Sequence, residues 1–216
     1  MKLILHNYRR CPFCIRTRIL LYLKNLEYEI VEEPLREWTP WMKEWSFATG
    51  ERARVPVLRY VLDEGVERIV PESNEMNLFT DSVDERPEFT PERSSEAYAE
   101  MLEWWKWCNE ELKPIIDLYK YGANLKFDKE AHVFHTAELQ KLVGVLEDAL
   151  SNKEYLIEDR ITLADIAIIP FIRQIMRTRE GEFDFTPYPR VLRWTNSIIE
   201  TDWFQNEVMK KQIRHV

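Results

Sequence analysis

Four consecutive residues, Cys11-Pro12-Phe13-Cys14, carry the clearest chemistry in the sequence. If the segment opens a helix, thiols three positions apart fall about one turn from each other. Pro12 suits the first helical position, where its missing N–H costs nothing. A cysteine at such a start faces backbone N–H groups without intrahelical partners and the positive end of the helix dipole, and both favour thiolate. Arg9 and Arg10 add positive charge nearby. A second thiol one turn along can resolve a mixed disulfide formed on the first. The motif therefore points to nucleophilic sulfur chemistry, with Cys11 as the reactive sulfur and Cys14 beside it. Two blander readings compete: a pair of buried apolar side chains, or half of a zinc site. A structural zinc needs four ligands, and the close pair His132 and His135 falls mid-helix in a different domain, so no metal is expected. The strand-motif-helix context favours redox use over inert packing. Cys108 stands alone on an apolar helical stripe and reads as core packing, with a cleft-facing position as the alternative.

The elements that must hold the motif are legible on both sides of it. Leu3-Ile4-Leu5-His6 is a short apolar strand leading through residues 7–10 into the cysteines. Beyond them, Ile15, Ile19, Leu20 and Leu23 recur at helical spacing and predict a helix ended by Asn25. Residues 28–31 read as a second strand, so the opening is β-α-β with parallel strands. Residues 36–54 scatter Trp38, Trp41, Trp45 and Phe47 among charges and suggest only a short irregular helix. Residues 55–60 resume as strand, Asp63-Glu64-Gly65 turns the chain, residues 66–70 return, and residues 72–80 close as helix. The order β-α-β-α-β-β-α is thioredoxin-like.

Residues 82–92 are rich in proline and acidic residues and poor in apolar ones, marking an exposed linker between a domain at 1–81 and a second at 93–216. The second domain reads as all helix. One apolar stripe runs over residues 92–118 through Ala97, Met101, Trp104, Trp105, Cys108, Leu112 and Ile115, kinked or shortened by Pro114. A second helix, capped by Asp128, carries Phe134, Ala137, Leu142, Val145, Leu146 and Ala149 on one side, and two more cover 166–175 and 191–199. Within Ile161-Thr162-Leu163-Ala164-Asp165-Ile166, Thr162 reads as N-cap, Asp165 as its capping-box partner, and Ile161 with Ile166 as a hydrophobic staple. The fold class is thus an α/β thioredoxin-like domain followed by an all-α helical bundle.

Composition narrows the function. At 216 residues and 45% hydrophobic content the chain is globular, and a net charge of −8 without a basic stripe excludes nucleic acid as a partner. No run approaches the roughly 18 apolar residues that a membrane-spanning helix needs. The first residues read as the start of a folded domain without a targeting segment. Three cysteines cannot form a disulfide framework, and two at redox spacing suit a reducing compartment, so a cytoplasmic location is expected. Eight tryptophans, several close together, suggest stacked helix cores and an aromatic-lined cleft.

Over essentially its whole length the chain resembles the cytosolic glutathione transferases. Arg9-Arg10-Cys11-Pro12-Phe13-Cys14 resembles the active-site turn of the cysteine-type members, omega-like and bacterial, and of the two-domain, transferase-shaped glutaredoxins. Val55-Pro56 resembles the family's cis-proline, where the preceding residue pairs its backbone with the cysteinyl part of glutathione. Pro71-Glu72-Ser73 resembles the motif that holds the γ-glutamyl end, and Thr162-Leu163-Ala164-Asp165 the family's folding capping box. The resemblance implies glutathione as cosubstrate, bound by Val55, Pro56, Glu72 and Ser73, with Cys11 and Cys14 catalytic. It implies a thioltransferase or deglutathionylating activity on a small disulfide or electrophilic substrate. Conjugation of glutathione to hydrophobic electrophiles lodged near Trp104 and Trp107 is the alternative, and a non-catalytic binding module a second one. Lys43, Arg52 and Arg54 are candidates for the glycyl carboxylate. Many cysteine-type members carry a small non-thiol residue where Cys14 stands, and the extra thiol shifts weight toward disulfide reduction. The family implies a homodimer, the glutaredoxin type a monomer. Tyr8 resembles the hydroxyl catalyst of other members only by position, and packing is its expected role.

Overall fold

The structure, a computed structural model, describes residues 2–62, 65–84, 87–121, 129–178 and 182–210. Contacts divide the chain into two units, Met1–Arg86 together with Asp202–Val216, and Pro87–Thr201.

The first unit is built on a four-stranded mixed sheet of order β2-β1-β3-β4, from β1 (Lys2–Asn7), β2 (Glu29–Glu32), β3 (Val57–Val61) and β4 (Glu67–Val70). Strand β1 pairs parallel with β2, placing Leu5 opposite Ile30, and antiparallel with β3, placing Leu5 opposite Leu58. Strand alternation sends Leu3, Leu5 and Leu58 into a core completed by Leu21 of α1 (Pro12–Leu23) and Met76 of α3 (Ser73–Ser82). Helix α1 ends as its sequence predicts, with Asn25 in the left-handed region at φ 50°.

Helix α2 (Pro40–Thr49) is fully formed where the sequence suggested an irregular one. Thr39 caps it, its hydroxyl accepting from the Met42 N–H at 3.3 Å, Pro40 opens it, and Gly50 ends it at φ 71°. Only Met42 and Trp45 are buried along it, too few to give a helical period. Its anchor is Glu33, which accepts from the Thr39 N–H at 2.9 Å and hydroxyl at 2.7 Å and lies 2.6 Å from His6 Nδ1. Burial works to raise the Glu33 carboxyl, but the bonds from His6 and Thr39 outweigh it and leave it below its ordinary range. Trp41 stacks on His6 with ring centroids 4.0 Å apart, fastening α2 to the sheet.

The segment following Asp202 belongs to this unit, although on sequence it falls within the helical domain. Trp203 stacks on Tyr22 of α1 at 4.9 Å, and a π-helical turn, Phe204–Val208, buries Phe204 and Val208.

In the second unit the helix expected over residues 92–118 is three pieces: α4 (Glu96–Trp107), a π-helical turn (Cys108–Leu112) and α5 (Lys113–Tyr121). Pro114 has no N–H to donate and its ring crowds the carbonyl one turn back; the wider turn just before it takes up both. Helix α6 (Lys129–Ala149) buries Leu139, Val143 and Leu146, while Phe134 and Val145 are exposed, so the core uses a different stripe from the one read on sequence. Two apolar faces coexist on this helix and only Leu146 is common to the expected and observed ones; periodicity does not choose between them. Asp128 lies outside the described residues.

Helix α7 (Leu163–Arg177) is buried along most of its length, and α8 (Pro189–Ile199) lays Trp194 and Ile198 beside it. The Asp165 carboxylate at the α7 start accepts from the Thr162 N–H and hydroxyl, both at 2.8 Å, from the Leu156 N–H at 2.9 Å and from the Trp194 indole at 2.9 Å. Burial still pushes this carboxyl above its ordinary value. Among the described residues no helix is long and apolar enough to cross a membrane.

Candidate active site

Cys11 is the N-cap of α1, with φ −72° and ψ 122°, and no side chain caps the helix. Its N–H donates to the Tyr8 carbonyl at 3.0 Å, closing the turn from β1, and its carbonyl accepts from Ile15 at 2.9 Å to start the helix. Cys11 is partly exposed, Cys14 is buried one turn inside, and both are free thiols. The Tyr8 N–H points at Cys14 Sγ, 3.3 Å away.

Cys11 is lowered to about 7. The hydrogen bond from the Cys14 thiol does most, burial opposes it, and the Cys14 and Phe13 backbone N–H groups and the Arg16 charge assist. Cys14 is pushed up by burial and by its thiolate neighbour, so it keeps its proton and donates it. At neutral pH about half of Cys11 is therefore thiolate. Arg10, expected from sequence to supply charge, turns instead to Tyr8, donating to its hydroxyl at 2.9 Å. The cations acting from within α1 are Arg16 and Arg18, neither of which the sequence reading picked out. The signal was present: helix α1 is apolar almost all round, and a charged residue in such a helix has only the interior to enter.

The turn carrying the motif is braced underneath. Buried Arg18 donates to Asn7 Oδ1 and, at 2.8 Å, to the Arg9 carbonyl; Asn7 donates to Glu32 at 2.5 Å, and the Arg9 N–H to the same carboxylate at 2.7 Å. A cleft of about 370 Å³ opens beside Tyr8, bounded by Pro34, Glu37 and Trp38.

The other expected binding residues cluster at one end of the sheet. His6, last but one in β1, pairs with Val57 at the start of β3, so the cysteine turn after β1 and Val55-Pro56 before β3 share that end. The Val55–Pro56 bond is cis. Glu72 is the N-cap of α3 without a side-chain cap bond, and Ser73, nearly buried, is its first residue. Arg54 reaches Glu72 at 3.0 Å and Glu51 at 2.6 Å, joining the β3 approach to the α3 start. Arg16 joins α1 to α3, its Nη1 3.4 Å from Ser73 Oγ and 2.5 Å from Asn74 Oδ1. Lys43 and Arg52 are exposed.

In the second unit Trp104 and Trp107 meet edge to face at 5.4 Å and line a hollow of about 370 Å³ with Glu100, Glu103, Lys106, Glu111 and Val145. Cys108 is buried, its thiol 3.9 Å from the Ala167 carbonyl, as the packing reading has it. His132 pairs with Glu182 at 2.7 Å. Among the described residues no group of three His, Cys, Asp or Glu side chains is arranged to hold a metal ion.

Two family models match the chain in order: "Glutathione S-transferase, N-terminal domain" over residues 10–83 and "Glutathione S-transferase, C-terminal domain" over residues 115–202, together three quarters of its length. Among curated proteins, elongation factor 1-gamma of Danio rerio is 24% identical over 112 residues, covering 51% of this chain and 25% of that protein. The chain thus spans about a quarter of the length of this relative. Glutathione S-transferase F6 of Arabidopsis thaliana is 26% identical over 200 residues, covering 85% of this chain and 88% of that one. Of solved structures, a glutathione transferase of Phanerochaete chrysosporium in complex with oxidized glutathione superposes with a TM-score of 0.82 at 20% identity, covering 98% of both chains. A family member from Pseudomonas fluorescens with two glutathione molecules bound gives 0.79 at 18% identity, covering 96% of this chain and 92% of its own. The structures establish the shared fold, and the paired domain models, in the order the thioredoxin-like sheet and the helical unit follow, establish that the chain belongs to the glutathione S-transferase family.

Proposed function

We propose that the protein is a glutathione-dependent thioltransferase of the cysteine type, with Cys11 as nucleophile. The observation that carries this reading is a partly exposed cysteine at an uncapped helix start, lowered to about 7 by a buried neighbouring thiol that stays protonated. The Cys11 thiolate attacks the glutathione sulfur of a mixed disulfide, forming a Cys11–glutathione disulfide and expelling the substrate thiolate, which takes up a proton. Turnover is completed by a second glutathione thiolate, which attacks the bound glutathione sulfur and releases Cys11 thiolate with oxidised glutathione. In the dithiol variant Cys14 loses its proton, attacks Cys11 and expels glutathione; two further glutathione molecules then reduce the Cys11–Cys14 disulfide.

Glutathione is proposed to lie along the end of the sheet described above. The backbone of Val55, before Pro56, pairs with its cysteinyl part. The α3 start offers backbone N–H groups and the Ser73 hydroxyl to the γ-glutamyl carboxylate, and Glu72 accepts from the α-ammonium. The cleft beside Tyr8 leaves room for the other half of a disulfide substrate. Family membership extends the proposal to a homodimer, which sedimentation of the purified protein checks, and the free thiols at redox spacing extend it to the cytoplasm.

Conjugation is the second reading. A helix start that stabilises the Cys11 thiolate stabilises a bound glutathione thiolate equally, and the Trp104–Trp107 hollow offers an apolar surface to an electrophile. The deciding experiment compares wild type, Cys11→Ser and Cys14→Ser on a glutathionylated small disulfide and on a chlorinated aromatic. Disulfide turnover lost by about a thousandfold or more in Cys11→Ser is the expected outcome. Conjugation surviving in Cys11→Ser with disulfide reduction absent from wild type would replace the first reading by the second. Absence of both activities and of glutathione binding would leave a non-catalytic module.

A further inference from the structure

Arg16 is a charged side chain placed where charge is costly: it is 1% exposed, one turn inside α1. Its guanidinium lies 4.8 Å from the Phe13 ring centroid, fixed by the residue between the two cysteines. From there Nη1 donates to Asn74 Oδ1 at 2.5 Å and to Ser73 Oγ at 3.4 Å, both in the first turn of α3. A serine hydroxyl that accepts from a guanidinium turns its own hydrogen toward the next acceptor and becomes a stronger donor. The charge also acts on Cys11 at the head of its own helix.

We propose that Arg16 is a positioning residue shared by the two anionic poles of the site, supporting the Cys11 thiolate through its charge and setting Ser73 and the α3 start to receive the γ-glutamyl carboxylate through its Nη1 bonds. The second half rests on the glutathione reading above; the first does not need it. An arginine fits this double task where a lysine does not. It keeps its charge through the whole range over which a cysteine titrates, it lies over the Phe13 ring, and its planar guanidinium fixes the direction of the two bonds that Nη1 sends to α3. The two poles are separable on that basis: charge alone serves the thiolate, and only the directed Nη1 bonds serve α3.

The test uses Arg16→Gln and Arg16→Lys in the full chain, with folding checked by circular dichroism. One arm follows alkylation of Cys11 by iodoacetamide against pH without glutathione, read by mass spectrometry of the Cys11 peptide. The other measures reduced glutathione binding by calorimetry. In Arg16→Gln the alkylation midpoint moves up, slowing the reaction at pH 7 about threefold, and glutathione binding weakens about tenfold. In Arg16→Lys the midpoint returns to that of wild type and binding stays weak. A folded Arg16→Gln with both quantities unchanged overturns the proposal. So does an Arg16→Lys that matches Arg16→Gln in both arms, since the loss would then be one of packing. If Arg16→Gln does not fold, Arg16→Lys alone decides: retained midpoint with weakened binding supports the proposal, and unweakened binding overturns it. Wild type that binds no glutathione removes the glutathione reading itself, while the alkylation arm still decides the thiolate half.

Discussion

Helices α1 and α7 each begin with a turn of backbone N–H groups that lack intrahelical partners, and the chain treats them in opposite ways. At α7 the Asp165 carboxylate gathers four donors from Thr162, Leu156 and Trp194, closing the helix start inside the helical unit. At α1 the N-cap is a cysteine that makes no cap bond, and at α3 the N-cap Glu72 makes none either. At α7 a carboxylate is locked into the start by buried donors around it, whereas the α1 and α3 starts have no such closure, and at α1 the Phe13 and Cys14 N–H groups act on Cys11 itself. One start is built to hold the structure together; under the proposed function the others hold charge that comes and goes.

That contrast can be broken most directly at Asp165. Replacing it by alanine strips partners from buried groups on three segments and is expected to cost roughly 3 kcal/mol in stability. Chemical unfolding measures the loss, while the alkylation rate of Cys11 in the folded protein stays at the wild-type value; a slowed Cys11 with unchanged stability would mean that the two helix starts do not divide the work as described.

Cys14→Ala sharpens the other side. The protonated Cys14 thiol donates to the Cys11 thiolate, so its removal disfavours the charged form and moves the alkylation midpoint upward from about 7. The rate at neutral pH is expected to fall about tenfold, with the fast-reacting fraction recovered as pH rises. An unshifted midpoint would assign the lowering to the backbone N–H groups and Arg16 alone. The smallest effect is expected of Thr162→Ala, which keeps the N–H bond to Asp165 and loses only the hydroxyl. It should cost about 1 kcal/mol and lower the melting temperature by a few degrees, with no change at Cys11.

The capping box at Thr162 and Asp165 was readable because it is a local pattern whose chemistry lies within four residues. The cysteine motif was readable for the same reason, and β1 and α1 followed from their own apolar spacing. Helix α2 was not, because its buried face is just Met42 and Trp45; its caps Thr39 and Gly50 are the better signal, and the tryptophans on either side of Thr39 mask the first of them. The buried stripe of α6 was misread because Phe134 and Val145 carry the same spacing as the residues that pack. Arg16 and Arg18 were passed over because single-residue tendencies place arginine outside, whereas both are interior, held by bonds to residues far along the chain or in the preceding turn. Val55–Pro56 carries no mark in the sequence that distinguishes a cis from a trans bond.

The stacking of Trp203 on Tyr22 and the burial of Phe204 and Val208 against the first unit bear on the order in which the molecule can be made. A ribosome delivers the sheet, α1 and α3 first, then the entire helical unit, and only afterwards the segment that packs on α1. The first unit to be synthesised is thus the last to be finished. A fragment ending before residue 202 would present Tyr22 bare to solvent, so dissection of this protein into separately expressed halves has to carry the tail with the head.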